Sequence, residues 1–295
     1  MKVVLAGASG LIGPALAASL GRDGHEVVRL VRRTPSGPGD VAWDPSAGEL
    51  DPRVLADADA VVCLSGVGVG DKRWNEAYKQ QIVASRVDSV ATIARAMVAS
   101  GTAATLVGAS AVGYYGDTGA REVDETAPAG DTFLAGVCQL WEDAAAPAAE
   151  AELRVVHLRT GLVLARGAGL LRQLGLVVKA GLGGRLGDGR QYMPWISLTD
   201  EIAAIRYLLD HDVSGPVNLT APTPVTNAEF TRTLGRVLHR PTPWLVPGFA
   251  ARLALGEFAE NVLTGQNAVP AALLAAGYRF THTDLEVALH DELNR

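Results

Sequence analysis

Three glycines, Gly7, Gly10 and Gly13, directly after the apolar run Val3-Val4-Leu5-Ala6, constrain this chain more than any other feature. The run predicts a buried strand, and residues 11–20 carry the apolar spacing of a helix fed by it. Pro14 fits the first turn of such a helix, where a missing N–H costs nothing. Glycines at a strand-to-helix turn let the backbone bend tightly and approach a pyrophosphate, which then rests on free N–H groups at the positive helix end. Gly7, Ser9, Gly10, Leu11, Ile12 and Gly13 are therefore the candidate phosphate cradle. A purely structural turn is the competing reading, since short glycine patterns also arise by chance.

The second strand narrows the ligand. Residues 26–31 are β-branched and apolar and run into Arg32-Arg33. A site that selects NAD places an acidic residue about 20 positions past the glycines to accept from the ribose 2′-hydroxyl. Two guanidiniums stand there instead, and their planar forks suit a 2′-phosphate. NADP(H) is the cofactor this predicts; a solvated strand end is the alternative.

Further along, apolar runs alternate with helical stretches. Strands are expected at 41–43, 60–64, 105–108, 154–158 and 216–219, and helices at 74–100, 140–151 and 200–209. Leu64, Ser65 and Gly66, at the end of the fourth strand, join the candidate cofactor residues. So does Arg86, which could reach a phosphate from its helix or simply face solvent. The alternation predicts an α/β fold of Rossmann type, a doubly wound parallel sheet with its ligand along the carboxyl ends of the strands. Residues 1–225 would form this cofactor domain, with a glycine-rich loop insertion at about 165–195. Residues 226–295 would form a smaller, mostly helical C-terminal region, with helices at 227–238, 249–255, 268–275 and 285–293. The glycine-rich stretch suits either a mobile loop over a pocket or a flexible linker.

At 295 residues the chain can bury a large core. A net charge of −6 argues against nucleic acid as partner, and no apolar stretch is long enough to span a bilayer. Cys63 and Cys138 form no metal-spaced pair, no signal peptide is visible, and a reduced cytoplasmic setting is expected. The six histidines are dispersed without ligand spacing, so no metal is expected.

Taken together, several motifs carry a resemblance. They are Gly7-Ala8-Ser9-Gly10-Leu11-Ile12-Gly13, Ser110-Ala111-Val112-Gly113-Tyr114-Tyr115-Gly116, Arg159-Thr160-Gly161-Leu162-Val163-Leu164, Gly189-Arg190-Gln191-Tyr192-Met193-Pro194-Trp195-Ile196 and Gly215-Pro216-Val217-Asn218-Leu219. The chain resembles the atypical extended short-chain dehydrogenases/reductases of the NAD-dependent epimerase/dehydratase type. Within them it is similar to the epimerase family proteins with a C-terminal helical domain of unknown function. The resemblance implies NADP(H) binding, a catalytic Ser110 at the end of the fifth strand, and a homodimer through two helices of the cofactor domain.

One departure stands out. Such enzymes use a tyrosine as acid/base and a lysine four residues later that lowers its pKa. No lysine occurs between Lys79 and Lys179, and none of the six tyrosines has a lysine four residues on. Where the pair belongs, the chain reads Phe133-Leu134-Ala135-Gly136-Val137-Cys138. Tyr114 and Tyr115 are the nearest replacements, or else pack against the cofactor; Asp124, Glu125 and Glu142 are available carboxylates, and Cys138 is an available thiol or a buried helix residue. Arg190, Tyr192 and Trp195 have the ingredients of a substrate mouth, an anion partner and two rings, or of an aromatic clasp. Trp43-Asp44 are placed to border an adenine.

Three functions fit the sequence. One is an NADP-dependent oxidoreductase or epimerase acting on a small polar, sugar-like molecule with a non-standard acid/base set. Another is a non-catalytic NADP(H)-binding sensor. The third is an assembly factor that docks a partner through its helical C-terminus, including residues 249–253.

Overall fold

A computed structural model describes residues 1–167 and 169–294. Seven parallel strands form the central sheet: β1 (Lys2–Ala6), β2 (Glu26–Val31), β3 (Asp40–Ala42), β4 (Ala60–Cys63), β5 (Thr105–Ala111), β6 (Val155–Thr160) and β7 (Gly215–Leu219). Their spatial order is β7-β6-β5-β4-β1-β2-β3, and every adjacent pair is parallel. The strand order reverses between β1 and β4, which opens a crevice at their carboxyl ends where ligands of such sheets bind. The continuous apolar runs follow from this: Val3–Ala6 and Ala60–Cys63 are buried throughout because helices cover both faces.

One face packs against α2 (Glu76–Ser100) and α3 (Phe133–Asp143), around Val90, Ile93, Met97, Leu106 and Trp141. The other packs against α1 (Gly13–Arg22) and α5 (Leu198–Asp210), around Leu16, Leu20, Ile205 and Leu208. Asn75 caps α2 by accepting from the Tyr78 N–H, and Gly101, at φ +65°, ends it in the left-handed conformation.

Several local expectations shift. The helix read over 140–151 is two helices, α3 and the short Ala146–Glu150, and Pro147 in the first turn of the second sets the break. Within the glycine-rich stretch lies a helix, α4 (Gly169–Lys179), whose Leu171 and Val178 are buried, and the strand Gly184–Leu186. Trp43, expected beside an adenine, is 6% exposed in the core under β2 and β3. An apolar residue flanking a short edge strand gains more by packing beneath the sheet than by bordering its rim.

Beyond residue 226 the chain holds α6 (Asn227–Val237), the helices Gly248–Leu255, Ala259–Leu263 and Ala271–Ala275, and α7 (Leu285–Asn294). These elements share cores with the rest. Phe230, Leu234, Leu285, Ala288 and Leu289 pack with Leu164, Leu171 and Trp195, while Leu273 and Tyr278 join the sheet's α1/α5 face. A buried polar clamp adds to this. The Asp200 carboxylate accepts from Tyr278 OH (3.1 Å) and from the N–H groups of Thr281 and His282 (both 2.8 Å), fastening residues 278–282 to the start of α5. Among the described residues no helix is long and apolar enough to cross a membrane.

Candidate functional site

The three glycines of the β1–α1 turn do different things. Gly7 has φ +83°, and a methyl group there would lie 2.6 Å from the Leu64 carbonyl carbon at the end of β4. At Gly13 it would lie 2.3 Å from the Gly7 oxygen, so helix and turn touch only because the side chain is missing. At Gly10 it would meet nothing nearer than the Gly7 oxygen at 3.5 Å. The protein itself thus places no demand on Gly10, and its bare, exposed backbone fits the close approach of an outside group. Ile12, preceding α1, provides no side-chain cap, and the first turn of α1 carries no acidic residue. Its free N–H groups and positive end suit a pyrophosphate. Ser9 is exposed and Leu11 and Ile12 half-buried around the turn.

At the end of β2 the two arginines part company. Arg33 is engaged by the protein: it pairs with Asp40 (3.1 Å) and donates to the Thr34 carbonyl and the Ser36 hydroxyl. The Ser36 N–H, then Arg29 and Arg33, hold the Asp40 carboxyl below its ordinary range despite opposing desolvation. Arg32 is exposed and has no hydrogen bond or ion pair among the described residues. One guanidinium shapes the loop; the other makes no such bond, and, after the Ser46 hydroxyl, its charge is among the causes that lower the Asp44 pKa.

Leu64, Ser65 and Gly66 follow β4 across the crevice, with the Leu64 N–H bonded to the Ala6 carbonyl (2.9 Å). Arg86, from α2, lies beneath Gly66: a methyl there would sit 3.2 Å from Cζ of Arg86.

At the end of β5 the structure assembles groups that lie far apart in sequence. Ser110 donates to Glu142 on α3 (2.6 Å), and Arg159 of β6 holds the same carboxylate with two bonds of 2.9 Å. Arg159 also donates to the Tyr115 hydroxyl (3.1 Å), which donates to the Asn218 side chain (2.7 Å). The Asn218 N–H donates to Glu125 (2.9 Å), whose other oxygen accepts from the Ala272 N–H (3.2 Å). Burial pushes the Tyr115 hydroxyl up to about 12, against the opposing pull of Arg159. Burial also lifts the Glu125 carboxyl, and it works against the Arg159 charge, but the bonds to Glu142 and Tyr115 hold that guanidinium above its ordinary value. Tyr115 is therefore committed to the interior, with both its donor and acceptor capacity used by protein. Tyr114 differs: it is half-buried, lies flat on Arg159 (3.5 Å from Cζ to ring centre), and its hydroxyl has no partner among the described residues. Cys138 is buried beside this network, its thiol pushed up to about 11 by desolvation, which makes it a poor nucleophile.

The expected substrate mouth comes out divided. Trp195 is wholly buried, its N–H on the Thr223 carbonyl (3.2 Å) and its ring among Leu164, Leu171 and Phe230. The reading of Trp195 as a ligand-stacking ring is corrected: its strand pairs with Leu162–Leu164, which turns the indole into the core. Arg190 is exposed. Tyr192 is half-buried, and its backbone abuts Gly265 so closely that a methyl there would lie 2.2 Å from the Tyr192 oxygen. Next to this contact a cavity of about 680 Å³ opens between Trp74, Thr132 and Phe133 on one side and Arg252, Glu260 and Thr264 on the other. Thr132 lies against Gly116, just past Tyr115, so the cavity borders the end of β5.

Read from the sequence, Glu142 and Glu125 are only spare carboxylates, and Arg159 and Asn218 do not emerge as members of the network. A signal existed: an arginine inside a strand buried on both faces requires a carboxylate partner.

Residues 3–220 match the model of the NAD dependent epimerase/dehydratase family, and residues 246–292 match a domain of unknown function, DUF1731. Epimerase family protein ML0860 of Mycobacterium leprae is 50% identical over 289 residues, covering 97% of this chain and 94% of that protein. The crystal structure of human epimerase family protein SDR39U1 (isoform 2) with NADPH superposes with a TM-score of 0.89 at 32% identity over the full length of both chains. A nucleoside-diphosphate sugar epimerase from Corynebacterium glutamicum gives 0.81 at 37% identity, covering 99% of this chain and 58% of that one.

Proposed function

Because the chain belongs to the NAD dependent epimerase/dehydratase family, whose fold serves nicotinamide cofactors, we propose that it binds NADP(H) and carries out oxidoreductase or epimerase chemistry on a small polar, sugar-like substrate. The observation that carries the cofactor reading is the pairing of an exposed Arg32 with the turn at Gly10, where nothing but a ligand benefits from a missing side chain. Gly7, Ser9, Gly10, Leu11, Ile12 and Gly13 would hold the pyrophosphate, Arg32 the 2′-phosphate, and Leu64, Ser65 and Gly66 the far side of the crevice. Arg33 supports Arg32 by fixing the loop through Asp40. The human SDR39U1 structure, which contains NADPH, supports the choice of phosphorylated cofactor.

The nicotinamide ring supplies the hydride-accepting or hydride-donating carbon when bound. The remaining work falls to the protein. Ser110 is buried at the end of β5 beside Cys138 and donates to Glu142, which leaves its oxygen able to accept from a substrate hydroxyl. As that proton reaches Ser110, its own moves to Glu142, whose position Arg159 fixes by a two-point clamp. Tyr114, with its free hydroxyl, is the hydrogen-bond donor to the substrate oxygen. Arg190 and Tyr192 would meet the substrate's polar end. A cytoplasmic location and a homodimer complete the proposal, the former supported by two buried free cysteines.

A second reading keeps the cofactor and drops the turnover. It is favoured by the missing Tyr/Lys pair: α3 carries Leu134 and Cys138 at the relevant spacing. NADPH oxidation measured across carbonyl and sugar-nucleotide panels separates the two. On any substrate turned over, Ser110→Ala should lower kcat by about 10²-fold or more while NADPH affinity stays within twofold. Unchanged kcat would remove Ser110 from the chemistry. Retained NADPH with no turnover on any panel member would establish the sensor reading.

A further inference from the structure

Arg86 is a guanidinium in an anomalous position. It is 9% exposed, yet no carboxylate pairs with it among the described residues. Among the described residues its one hydrogen bond runs from Nη1 to the Ile82 carbonyl (3.0 Å), one turn back on its own helix. The guanidinium stacks on Trp141 (4.9 Å to the ring centre), and the indole N–H of Trp141, itself buried, has no partner either. Burial draws the pKa of Arg86 below the ordinary value. An unpaired buried charge is strongly unfavourable, and leaving most of its donors unused adds to the cost. Elsewhere the fold solves the same problem fully, since Arg159 has its carboxylate, its tyrosine hydroxyl and its ring.

The position of Arg86 says what could complete it. Its side chain underlies Gly66, three residues past β4, and its charge interacts with Cys138 on α3. A dinucleotide lying across the carboxyl ends of this sheet is oriented by its ends. Arg32 fixes the 2′-phosphoadenosine over β2, and the turn after β1 takes the pyrophosphate. The strand order then leaves β4 and β5 for the nicotinamide ribose. We propose that Arg86 donates to the hydroxyls of the nicotinamide-side ribose, supplying from α2 the positive charge that the Tyr-x-x-x-Lys pattern would place on α3 near Cys138. This rests on the NADP(H) reading above and adds to it a residue that acts on one half of the cofactor only.

The test uses the full chain and two probes, NADPH and adenosine 2′,5′-bisphosphate, which has the 2′-phosphate but no nicotinamide ribose. Arg86→Met, which keeps apolar bulk on Trp141, should weaken NADPH tenfold or more and leave the bisphosphate within twofold of wild type. Arg86→Lys, which keeps the charge but loses the fork, should fall between. Should Arg86→Met fail to fold, Arg86→Lys carries the test, with at least threefold loss for NADPH and none for the bisphosphate. Equal weakening of both probes, or of neither, would overturn the role of Arg86 while leaving NADP(H) binding intact. Binding of neither probe by the wild type would overturn both.

Discussion

At the scale of single residues, each member of a motif answers to a different physical demand. Gly13 is glycine because Cβ would lie 2.3 Å from a backbone oxygen; Gly10 is glycine although the protein leaves its Cβ room. Gly13→Ala should therefore destabilise the fold by about 2 kcal/mol or more, read by urea unfolding. Gly10→Ala should keep stability within about 0.5 kcal/mol and weaken NADPH at least tenfold. Wild-type NADPH affinity in Gly10→Ala would mean that nothing approaches the turn. The same distinction separates Arg32 from Arg33. Adjacent in sequence, they read alike until Asp40, seven residues on, claims one of them. The sequence placed both beside a phosphate, and only the folded loop shows which one it holds by hydrogen bonds.

Among the elements, α5 carries a buried carboxyl with a consequence for pH. Glu201 is fully buried, receives one bond from Thr160 (3.0 Å), and has a second oxygen without a partner among the described residues. Desolvation raises its pKa from 4.5 to about 8, with the Thr160 bond opposing. Because the folded value lies above the unfolded one, the contribution to stability is fully present below pH 4.5 and falls as pH rises toward 8, by on the order of 1 kcal/mol per unit. Glu201→Gln should flatten that slope between about pH 5 and 8 in urea unfolding; an unchanged slope would assign the dependence to other groups. The elements were legible where an apolar period met a cap, as at Asn75 and Gly101 of α2. They were less so where composition masked the period. Leu171, Leu174 and Val178 repeat at helical spacing in α4, but the surrounding glycines read as loop.

For the whole molecule, the parallel sheet and its crevice followed from alternating runs, since a strand buried on both faces cannot hide its composition. The network around Glu142 was not readable that way. Its bonds join Ser110 to a residue 32 positions on and Tyr115 to one 103 positions on, pairings that exist only after β5, β6, β7 and α3 are side by side. The C-terminal helices share this core: Leu289 of α7 is fully buried in one cluster with residues of α4, α6 and the Trp195 strand. Leu289→Ala should cost about 2–5 kcal/mol. Tryptophan fluorescence and far-ultraviolet dichroism should still report one coincident transition; two separated transitions would show that the C-terminal helices fold apart. Selection of the phosphorylated dinucleotide by Arg32 can be measured by calorimetric titration of cofactor-stripped protein with NADPH and NADH, for wild type and Arg32→Ala. The wild type should prefer NADPH by at least tenfold, about 1.4 kcal/mol, and Arg32→Ala should abolish the preference by weakening NADPH alone. Equal affinity for the two in the wild type, or equal weakening of both in the variant, would contradict it.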